Sequence, residues 1–289
     1  MSQNSQRAVP NSSGSAPPRL KAPANAADCH IHTYDPRFAP PVPKVRNATA
    51  QDYRLLQQRL GFARVVIVQP RNYATDNSAT LDAIARLGIA NARGVAVLRP
   101  EVSDAELKKL DAGGIRGIRF TTGNPQTAIV SVDMIEPLAK RIAGMGWHVQ
   151  LNMPAEQIVE HADLLRRLPA QIVFDHMGQV LPEGLAHPAY SVIRGLIDQG
   201  RAWVKISIGN LKTSIGPPTY TDVAPIAQAY VKAAPQRCVW GTDWPHPSAG
   251  DNPPDDAAVF DLLSGWAPEE ATRHRILVTN PQALYGFAP

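Results

Sequence analysis

The chain has 289 residues, of which 44% are hydrophobic and 19% are charged, which is the composition of an ordinary globular protein with a sizeable core. The formal net charge is only +4, and the charges form no basic stripe or block, so we expect no nucleic-acid partner. No apolar run approaches the roughly 18 residues that a bilayer span needs, so we expect no membrane partner either.

The N-terminal segment differs in composition from the rest of the chain. It is rich in Ser, Asn, Pro and Ala and has no apolar core of the signal-peptide type. We predict residues 1–24 to be a disordered or surface-draped arm and residues 25–289 to be a single domain. The two cysteines, Cys29 and Cys238, lie in apolar runs, which is typical of buried free thiols. This usage favours a reducing, cytoplasmic location.

Eight short segments rich in Val and Ile follow the arm. They span residues 27–32, 64–70, 92–99, 115–122, 147–153, 171–177, 202–208 and 238–245. Most are apolar on both alternating faces, which is typical of parallel strands that are covered on both sides.

Amphipathic helical patterns alternate with these strands. They span residues 48–61, 75–88, 103–114, 133–146, 155–168, 187–200, 220–235 and 268–287. Thr49 is a suitable N-cap and Gly61 a suitable end for the first helix, and Ser103 with Glu106 forms a capping-box pattern. Eight units of this kind predict an α/β fold, the (β/α)₈ TIM barrel. An open, doubly wound sheet is the alternative.

Polar residues follow seven of the eight predicted strands. The candidates are His30, His32, Gln69, Arg71, Arg119, Asn152, Asp175, His176, Lys205, Ser207, Asp243 and His246. A single polar residue at a strand end is more often a turn former or a satisfied polar group. In a barrel, however, the active site lies at the carboxyl ends of the strands, so the recurrence favours a site there.

Four motifs resemble those of the amidohydrolase superfamily. They are "DCHIHTYDPRF" on the first strand, "FDHMG" on the sixth, "WGTDWPHP" on the eighth and the tail "ILVTNPQALYGF". The resemblance runs from about residue 27 to the C-terminus. Within the superfamily, the motifs are most similar to the branch that contains 2-pyrone-4,6-dicarboxylate lactonase and several sugar-acid lactonases.

The resemblance implies a possible metal site with His30, His32, His176 and Asp243 as ligands. Two metals would also need a bridging Lys or Glu on the fourth strand, where this sequence has Arg119, and a His near the end of the fifth strand, where it has Asn152. A guanidinium stays protonated and repels a dication, so we expect no two-metal centre. Because the lactonase branch works without metal, we predict no cofactor, with one Zn²⁺ on the four ligands as the alternative.

The resemblance further implies an enzyme that acts on the lactone ring of a carboxylated, aldaric sugar acid. The favoured reaction is isomerisation of D-galactaro-1,5-lactone to the 1,4-lactone through attack by a hydroxyl of the same molecule.

The residues themselves suit such a substrate. We predict Asp243 to be the general base, and His30, His32 and His176 to be N–H donors to the lactone carbonyl. Arg71 and Arg119 match a carboxylate. Further candidates for substrate binding are Gln69, Asn152, Lys205, Ser207 and His246.

Three other functions stay open at this point. The first is hydrolysis of a sugar-acid or pyrone dicarboxylate lactone, in which Asp243 would activate water. The second is a zinc-dependent decarboxylase, and the third is a sugar-acid binding protein without catalysis. The sequence leaves the oligomeric state open.

Overall fold

A computed structural model of the chain describes residues 8–38, 46–124, 126–209 and 212–289. Its strands are β1 (Ala27–Ile31), β2 (Arg64–Val68), β3 (Ala92–Ala96), β4 (Ile115–Thr121), β5 (His148–Asn152), β6 (Ile172–Phe174), β7 (Ala202–Ile206) and β8 (Cys238–Trp240). Its α-helices are α1 (Ala50–Leu60), α2 (Ser78–Leu87), α3 (Asp104–Ala112), α4 (Ile135–Ile142), α5 (Ala155–Glu160), α6 (Ala162–Arg167), α7 (Pro188–Asp198), α8 (Ala224–Ala233), α9 (Asp256–Asp261), α10 (Leu263–Trp266), α11 (Glu270–His274) and α12 (Asn280–Tyr285). Short 3₁₀ helices occupy Arg71–Tyr73, Val132–Met134, Ala143–Met145, His176–Gln179, Gly184–Ala186 and Pro235–Arg237, and a π-helical turn spans Arg275–Thr279.

The strands form one parallel sheet in the order β1 to β8. The sheet curves round until residues just after β8 meet β1. At this seam the Asp243 N–H donates to the His30 carbonyl oxygen at 2.9 Å, and the His32 N–H donates to the Trp244 carbonyl oxygen at 2.8 Å. The predicted (β/α)₈ barrel is therefore confirmed, and its closure places Asp243 beside the His30–His32 pair.

The helix ends follow the capping residues in the sequence. The Thr49 side chain accepts from the Asp52 N–H, and Gly61 ends α1 with a φ of 77°. The predicted helix at 155–168 is interrupted at His161. Helices α9 and α10 form where no helix was predicted, because Asp255 caps the Ala257 N–H after the Pro-rich loop. None of the helices in the described part of the chain has the length and apolarity that a bilayer crossing requires.

Two apolar clusters hold the barrel together. The larger one fills the space between the sheet and the surrounding helices. The smaller one lies inside the barrel and includes Val66, Val173 and Val239, with Tyr285 and Phe287 from the C-terminal segment packed against it. This inner cluster fills the barrel at one end, and the polar candidates His30, His32 and Asp243 lie towards the other, at the carboxyl ends of the strands.

The N-terminal residues that the structure describes run along the barrel surface. Val9 is buried, and the Trp244 indole N–H donates to the Pro10 carbonyl oxygen at 2.8 Å. The Arg59 guanidinium donates to the carbonyl oxygens of Ala16 and Ser13 at 2.8 and 3.0 Å. These contacts tie the segment to α1 and to the loop that follows β8.

Candidate active site

An irregularity in β1 sets the direction of the two histidines. Ala27 and Asp28 pair with Arg64 and Val65, whereas Ile31 pairs with Ile67, so β1 carries one extra residue. Cys29 therefore packs into the inner apolar cluster, while His30 and His32 both turn towards the polar end of the barrel.

Three imidazoles and one carboxylate converge at this end, and all four side chains are almost completely buried. The Nε2 atoms of His30 and His32 are 3.3 Å apart. Asp243 Oδ1 lies 3.4 Å from His30 Nε2, 3.5 Å from His32 Nε2 and 3.8 Å from His176 Nε2. We call these four residues the His–Asp cluster.

Asp243 is held in a backbone conformation that few residues other than glycine adopt, with a φ of 67°. Gly209 packs so closely that an added Cβ would lie 2.2 Å from Asp243 Oδ2. Burial by itself raises the pKa of Asp243, but the bond to His32 and the His176 and His30 imidazoles outweigh it and hold that pKa well below its usual value. The carboxylate is therefore ionised at neutral pH and able to accept a proton.

His176 also has a left-handed backbone, with a φ of 48°, in a loop where Met177 and Gln179 share this conformation. Its Nδ1 is 2.8 Å from Ser207 Oγ, whereas its Nε2 is buried without a hydrogen-bond partner and is directed towards Asp243. Burial lowers the pKa of His176, so the imidazole is neutral. Strained residues and unpartnered polar atoms of this kind concentrate at functional sites.

A layer of buried charges lies directly under the cluster. Asp175 Oδ2 accepts from Arg119 Nε and from Gln150 Nε2, both at 3.0 Å. Lys205 Nζ donates to Gln150 Oε1 at 2.8 Å and lies 3.3 Å from His30 Nδ1. Each charge has an opposite partner, as buried ions require.

The ionisation states in this layer follow from the same contacts. Burial raises the pKa of Asp175, but Lys205, His30 and Arg119 outweigh it and hold that pKa well below its usual value. Burial lowers the pKa of the Lys205 ammonium, while Asp175 opposes this effect. Burial and the Lys205 charge hold the pKa of His30 well below its usual range, so His30 is neutral.

The two predicted carboxylate-binding arginines lie near each other at the rim. Arg71 and Arg119 line one small cavity together with Thr121. Arg71 is exposed and donates from Nη1 to Thr127 Oγ1 at 2.8 Å, so it is anchored to the loop after β4. The rest of its lining is Gln69, Val97, Ile129 and Val130.

The side chains of the remaining predicted substrate contacts bond to other groups of the protein. Gln69 is directed at its own loop, where its Nε2 donates to the Asp76 carbonyl oxygen at 2.7 Å and its Oε1 accepts from Thr80. Asn152 Oδ1 accepts from Gln179 Nε2 at 2.5 Å. His246 Nε2 is 3.0 Å from Asp256 Oδ1. Ser207 reaches the cluster through His176, and Lys205 through His30. Direct substrate contact of these residues stays a prediction.

Sequence reasoning included Asp175 among the polar strand-end residues but gave it no role, and it gave none to Gln150 or Tyr34. Asp175 reads as a turn residue beside His176, and Gln150 reads as the middle of a strand, yet together with Arg119 and Lys205 they form the charged layer. Tyr34 is buried with its ring centroid 6.5 Å from that of His32. Gln150 was a usable signal, because a polar group in the middle of a buried strand needs a buried partner.

The geometry of the His–Asp cluster suits one divalent metal. Neighbouring ligand atoms of a tetrahedral zinc lie about 3.3–3.4 Å apart, given bonds of roughly 2.0–2.1 Å. The contacts between the donor atoms of His30, His32 and Asp243 are 3.3 to 3.5 Å. His32 Nδ1 is also 2.8 Å from the Val68 carbonyl oxygen, which is a common support for a metal-binding histidine. These residues could therefore hold one cation, whereas Arg119 occupies the place on β4 where a second would need a ligand.

Comparison with known proteins agrees with this architecture. A family model described as "Amidohydrolase" matches residues 27–287. A 2-pyrone-4,6-dicarboxylate hydrolase from Comamonas testosteroni is 35% identical over 283 residues, covering 93% of this chain and 92% of that protein. A D-galactarolactone isomerase from Agrobacterium fabrum is 33% identical over 286 residues, covering 96% of both chains.

A crystal structure of an Agrobacterium tumefaciens protein in its apo form superimposes with a TM-score of 0.85 at 31% identity, covering 96% of this chain and 99% of that one. The match of the family model includes every strand of the barrel and all four residues of the His–Asp cluster. The chain therefore belongs to the amidohydrolase family of enzymes.

Proposed function

We propose that this protein opens and re-forms the lactone ring of a carboxylated sugar acid, with D-galactaro-1,5-lactone as substrate and the 1,4-lactone as product. The observation that carries the proposal is the buried, ionised Asp243 carboxylate, which lies within 3.4 to 3.8 Å of three imidazole Nε2 atoms. A base beside several potential N–H donors is the combination that acyl transfer needs. The relatives named as lactone enzymes support this reaction class.

The substrate would be oriented by its free carboxylate. Arg71 and Arg119 line the same cavity, and a guanidinium can bind a carboxylate through two parallel hydrogen bonds. This interaction would direct the lactone carbonyl towards the imidazoles and one substrate hydroxyl towards Asp243. Holding both groups in place can be worth an effective concentration of about 10⁵ M or more, so that the hydroxyl competes well with water.

The proton balance is simple. Asp243 takes the proton of the attacking substrate hydroxyl while the oxygen of that hydroxyl bonds to the carbonyl carbon. The carbonyl oxygen then becomes an oxyanion. Imidazole N–H groups of the cluster stabilise that oxyanion. When the C=O bond re-forms, the original ring C–O bond breaks, and the departing oxygen takes the proton back from Asp243. The product is an isomeric lactone, and the enzyme returns to its starting state.

We propose that these steps use the side chains alone. The buried Lys205 and the neighbouring Arg119 already bring positive charge to the site, and both lie close to the His–Asp cluster. If His30, His32, His176 and Asp243 hold a divalent cation instead, it would supply Lewis-acid polarisation of the carbonyl. We also propose a cytoplasmic setting, in which the free, buried thiols of Cys29 and Cys238 stay reduced.

The test is to incubate the purified protein with galactaro-1,5-lactone and follow the carbon signals by ¹³C NMR. Appearance of the 1,4-lactone before free galactarate supports the isomerase, whereas direct formation of galactarate identifies a hydrolase. Turnover of 2-pyrone-4,6-dicarboxylate with no reaction of the galactarolactone would contradict the substrate assignment. Stoichiometric zinc whose removal abolishes turnover would contradict the metal-free mechanism and favour a decarboxylase or another metal-dependent reaction.

A further inference from the structure

Tyr34 follows the two histidines of β1 and is held in place by its backbone. Its N–H donates to the Ala48 carbonyl oxygen, and its carbonyl oxygen accepts from the Ala48 N–H, both at 2.8 Å. The ring centroid lies 6.5 Å from that of His32 and 6.4 Å from that of Tyr73. Since the side chain is only 6% exposed, its position beside the carboxyl end of β1 is well defined.

The two tyrosines of this pair differ in what their hydroxyl groups do. The Tyr73 hydroxyl accepts from the Asp35 N–H at 3.0 Å and donates to the Asp35 carbonyl oxygen at 3.2 Å. In the part of the chain that the structure describes, the Tyr34 hydroxyl makes no hydrogen bond. The protein does not enclose this oxygen completely, so a bound molecule can reach it. A tyrosine hydroxyl at a buried position usually has a partner, so this one is available for a ligand.

Tyr34 lies within electrostatic range of both parts of the proposed site. It interacts with the carboxylate of Asp243, the proposed base, and with the guanidinium groups of Arg119 and Arg71. The middle of a sugar acid that spans the base and the arginines would therefore pass close to the phenol. A phenol both donates and accepts hydrogen bonds, as the hydroxyls of a sugar acid also do.

We propose that Tyr34 is a specificity-determining substrate contact, whose hydroxyl bonds to a hydroxyl of the sugar acid between its carboxylate and its reacting carbonyl. This inference rests on the proposed function, because it takes the ligand to be a hydroxylated acid. The contact involves no proton transfer and no metal ion.

The proposal predicts selection for hydroxylated acids over plain ones. A ligand without hydroxyls would leave the Tyr34 hydroxyl unpaired in a closed site, which weakens binding. Galactarate and adipate are matched probes, since adipate is the same linear dicarboxylate without the hydroxyls. Both acids can use the rim arginines, so a difference between them reports on the hydroxyl contacts.

The test is calorimetric titration of the parent protein and of Tyr34→Phe with each acid. We expect the parent to bind galactarate more tightly than adipate. In Tyr34→Phe the Kd of galactarate should rise by about 3–10-fold, which corresponds to the loss of one hydrogen bond. The Kd of adipate should stay within about twofold, because adipate has no hydroxyl with which the phenol could bond.

Two controls separate this contact from a structural role. Tyr34→Phe removes an oxygen without a protein partner, so the melting temperature should equal that of the parent. Tyr190→Phe changes the same group on the outer helix α7 and should bind both acids as the parent does. A crystal structure of the parent protein with galactarate provides an answer without any variant, and we expect the Tyr34 hydroxyl within hydrogen-bond distance of a ligand hydroxyl.

Several results would overturn the proposal. They are an unchanged galactarate Kd in Tyr34→Phe, an equal loss of affinity for both acids, or a complex in which galactarate does not touch Tyr34. A parent protein that isomerises the lactone while Tyr34→Phe keeps its galactarate affinity would contradict the role of Tyr34 and support the proposed function. A parent protein that turns over no lactone, but whose binding of galactarate depends on Tyr34, would contradict the proposed function and support the role of Tyr34. Binding of neither acid would contradict both.

Discussion

The chemistry of the site depends on one carboxylate. Asp243 is buried and ionised, and it is closely packed by Gly209 and three imidazoles. A base in such a setting needs little reorganisation when it accepts a proton, which is how preorganised sites accelerate reactions. The residue scale therefore offers the sharpest tests of the mechanism.

Replacement of the base should abolish turnover without loss of the fold. In Asp243→Asn the amide cannot accept a proton, so we expect kcat to fall by about 10²–10⁴. The melting temperature and the affinity for a carboxylated ligand should change little, as measured by differential scanning fluorimetry and calorimetric titration. Asp251→Asn, a matched change at an exposed carboxylate paired with Arg46, should leave kcat unchanged. Equal losses in both variants would remove Asp243 from the mechanism.

Gly209 provides a second test, through geometry alone. An added Cβ would lie 2.2 Å from Asp243 Oδ2, so Gly209→Ala must displace the carboxylate. We expect kcat to fall by about tenfold or more, since small displacements of catalytic groups cost up to ~10² in rate. Gly195→Ala in α7 meets no atom within 4 Å and serves as the control. Full activity of Gly209→Ala would show that the position of Asp243 is not critical.

At the scale of elements, different strand ends supply different parts of the site. Strand β1 supplies two imidazoles through one extra residue, and β4, β5, β6 and β7 supply the charged layer beneath them. The opposite end of β5 carries His148, which is buried with its ring centroid 5.3 Å from that of Tyr285. His148 interacts electrostatically with Lys205 and Asp175 but belongs neither to the His–Asp cluster nor to the rim, so we expect it to affect stability more than rate.

His148 should make stability depend on pH. Burial lowers its pKa to about 3, whereas the unfolded chain has the ordinary value of about 6.5. Below pH 6.5 the unfolded state binds a proton that the folded state does not, so stability falls as the pH falls. At pH 5 the loss is about 2 kcal/mol from this one group.

The measurement is urea unfolding at pH 7.5 and pH 5 for the parent protein and for His148→Gln. We expect the variant to show a smaller loss of unfolding free energy between the two pH values. His274→Gln, at an exposed position, should keep the parent's dependence. The same loss in parent and His148→Gln would show that His148 does not carry the effect.

The same elements show what the sequence could and could not predict. Strand alternation predicted that His30 and His32 share a side, and barrel topology predicted that Asp243 joins them, because both depend only on local pattern and strand order. The extra residue in β1 could not be predicted, because no residue pattern in the sequence indicates it. The depth of Lys205 and the pairing of Asp175 depend on contacts between distant strands, so a single sequence could indicate polar residues there but not their partners.

At the scale of the whole molecule, hydrogen bonds join the N-terminal segment to the barrel. The carbonyl oxygen of Pro10 accepts from the Trp244 indole, one residue after Asp243, and Arg59 bonds to two carbonyl oxygens of the segment. Arg59 also pairs with Asp255, and with the segment in place its side chain is only 5% exposed, so the segment helps to cover an ion pair of the barrel.

Deletion of residues 1–18 should therefore destabilise the barrel and disturb the site. We expect the unfolding free energy to drop by at least about 2 kcal/mol, because several hydrogen bonds of ~0.5–1.5 kcal/mol each are lost, among them those to the carbonyl oxygens of Pro10, Ser13 and Ala16. We also expect a severalfold lower kcat, because Trp244 adjoins Asp243. Equilibrium unfolding and steady-state kinetics of the truncated chain provide the two numbers. Unchanged stability would mean that the segment only rests on the surface.

The central claim is that a carboxylated lactone binds with its carbonyl against the imidazoles of the His–Asp cluster and its carboxylate on the rim arginines. The most direct measurement is a crystal structure of Asp243→Asn soaked with galactaro-1,5-lactone. We predict the carbonyl oxygen within hydrogen-bond distance of at least one cluster imidazole, the free carboxylate on Arg71 or Arg119, and a substrate hydroxyl beside residue 243. A lactone bound outside the barrel mouth, or one whose carboxylate faces the cluster while its carbonyl faces solvent, would contradict the account.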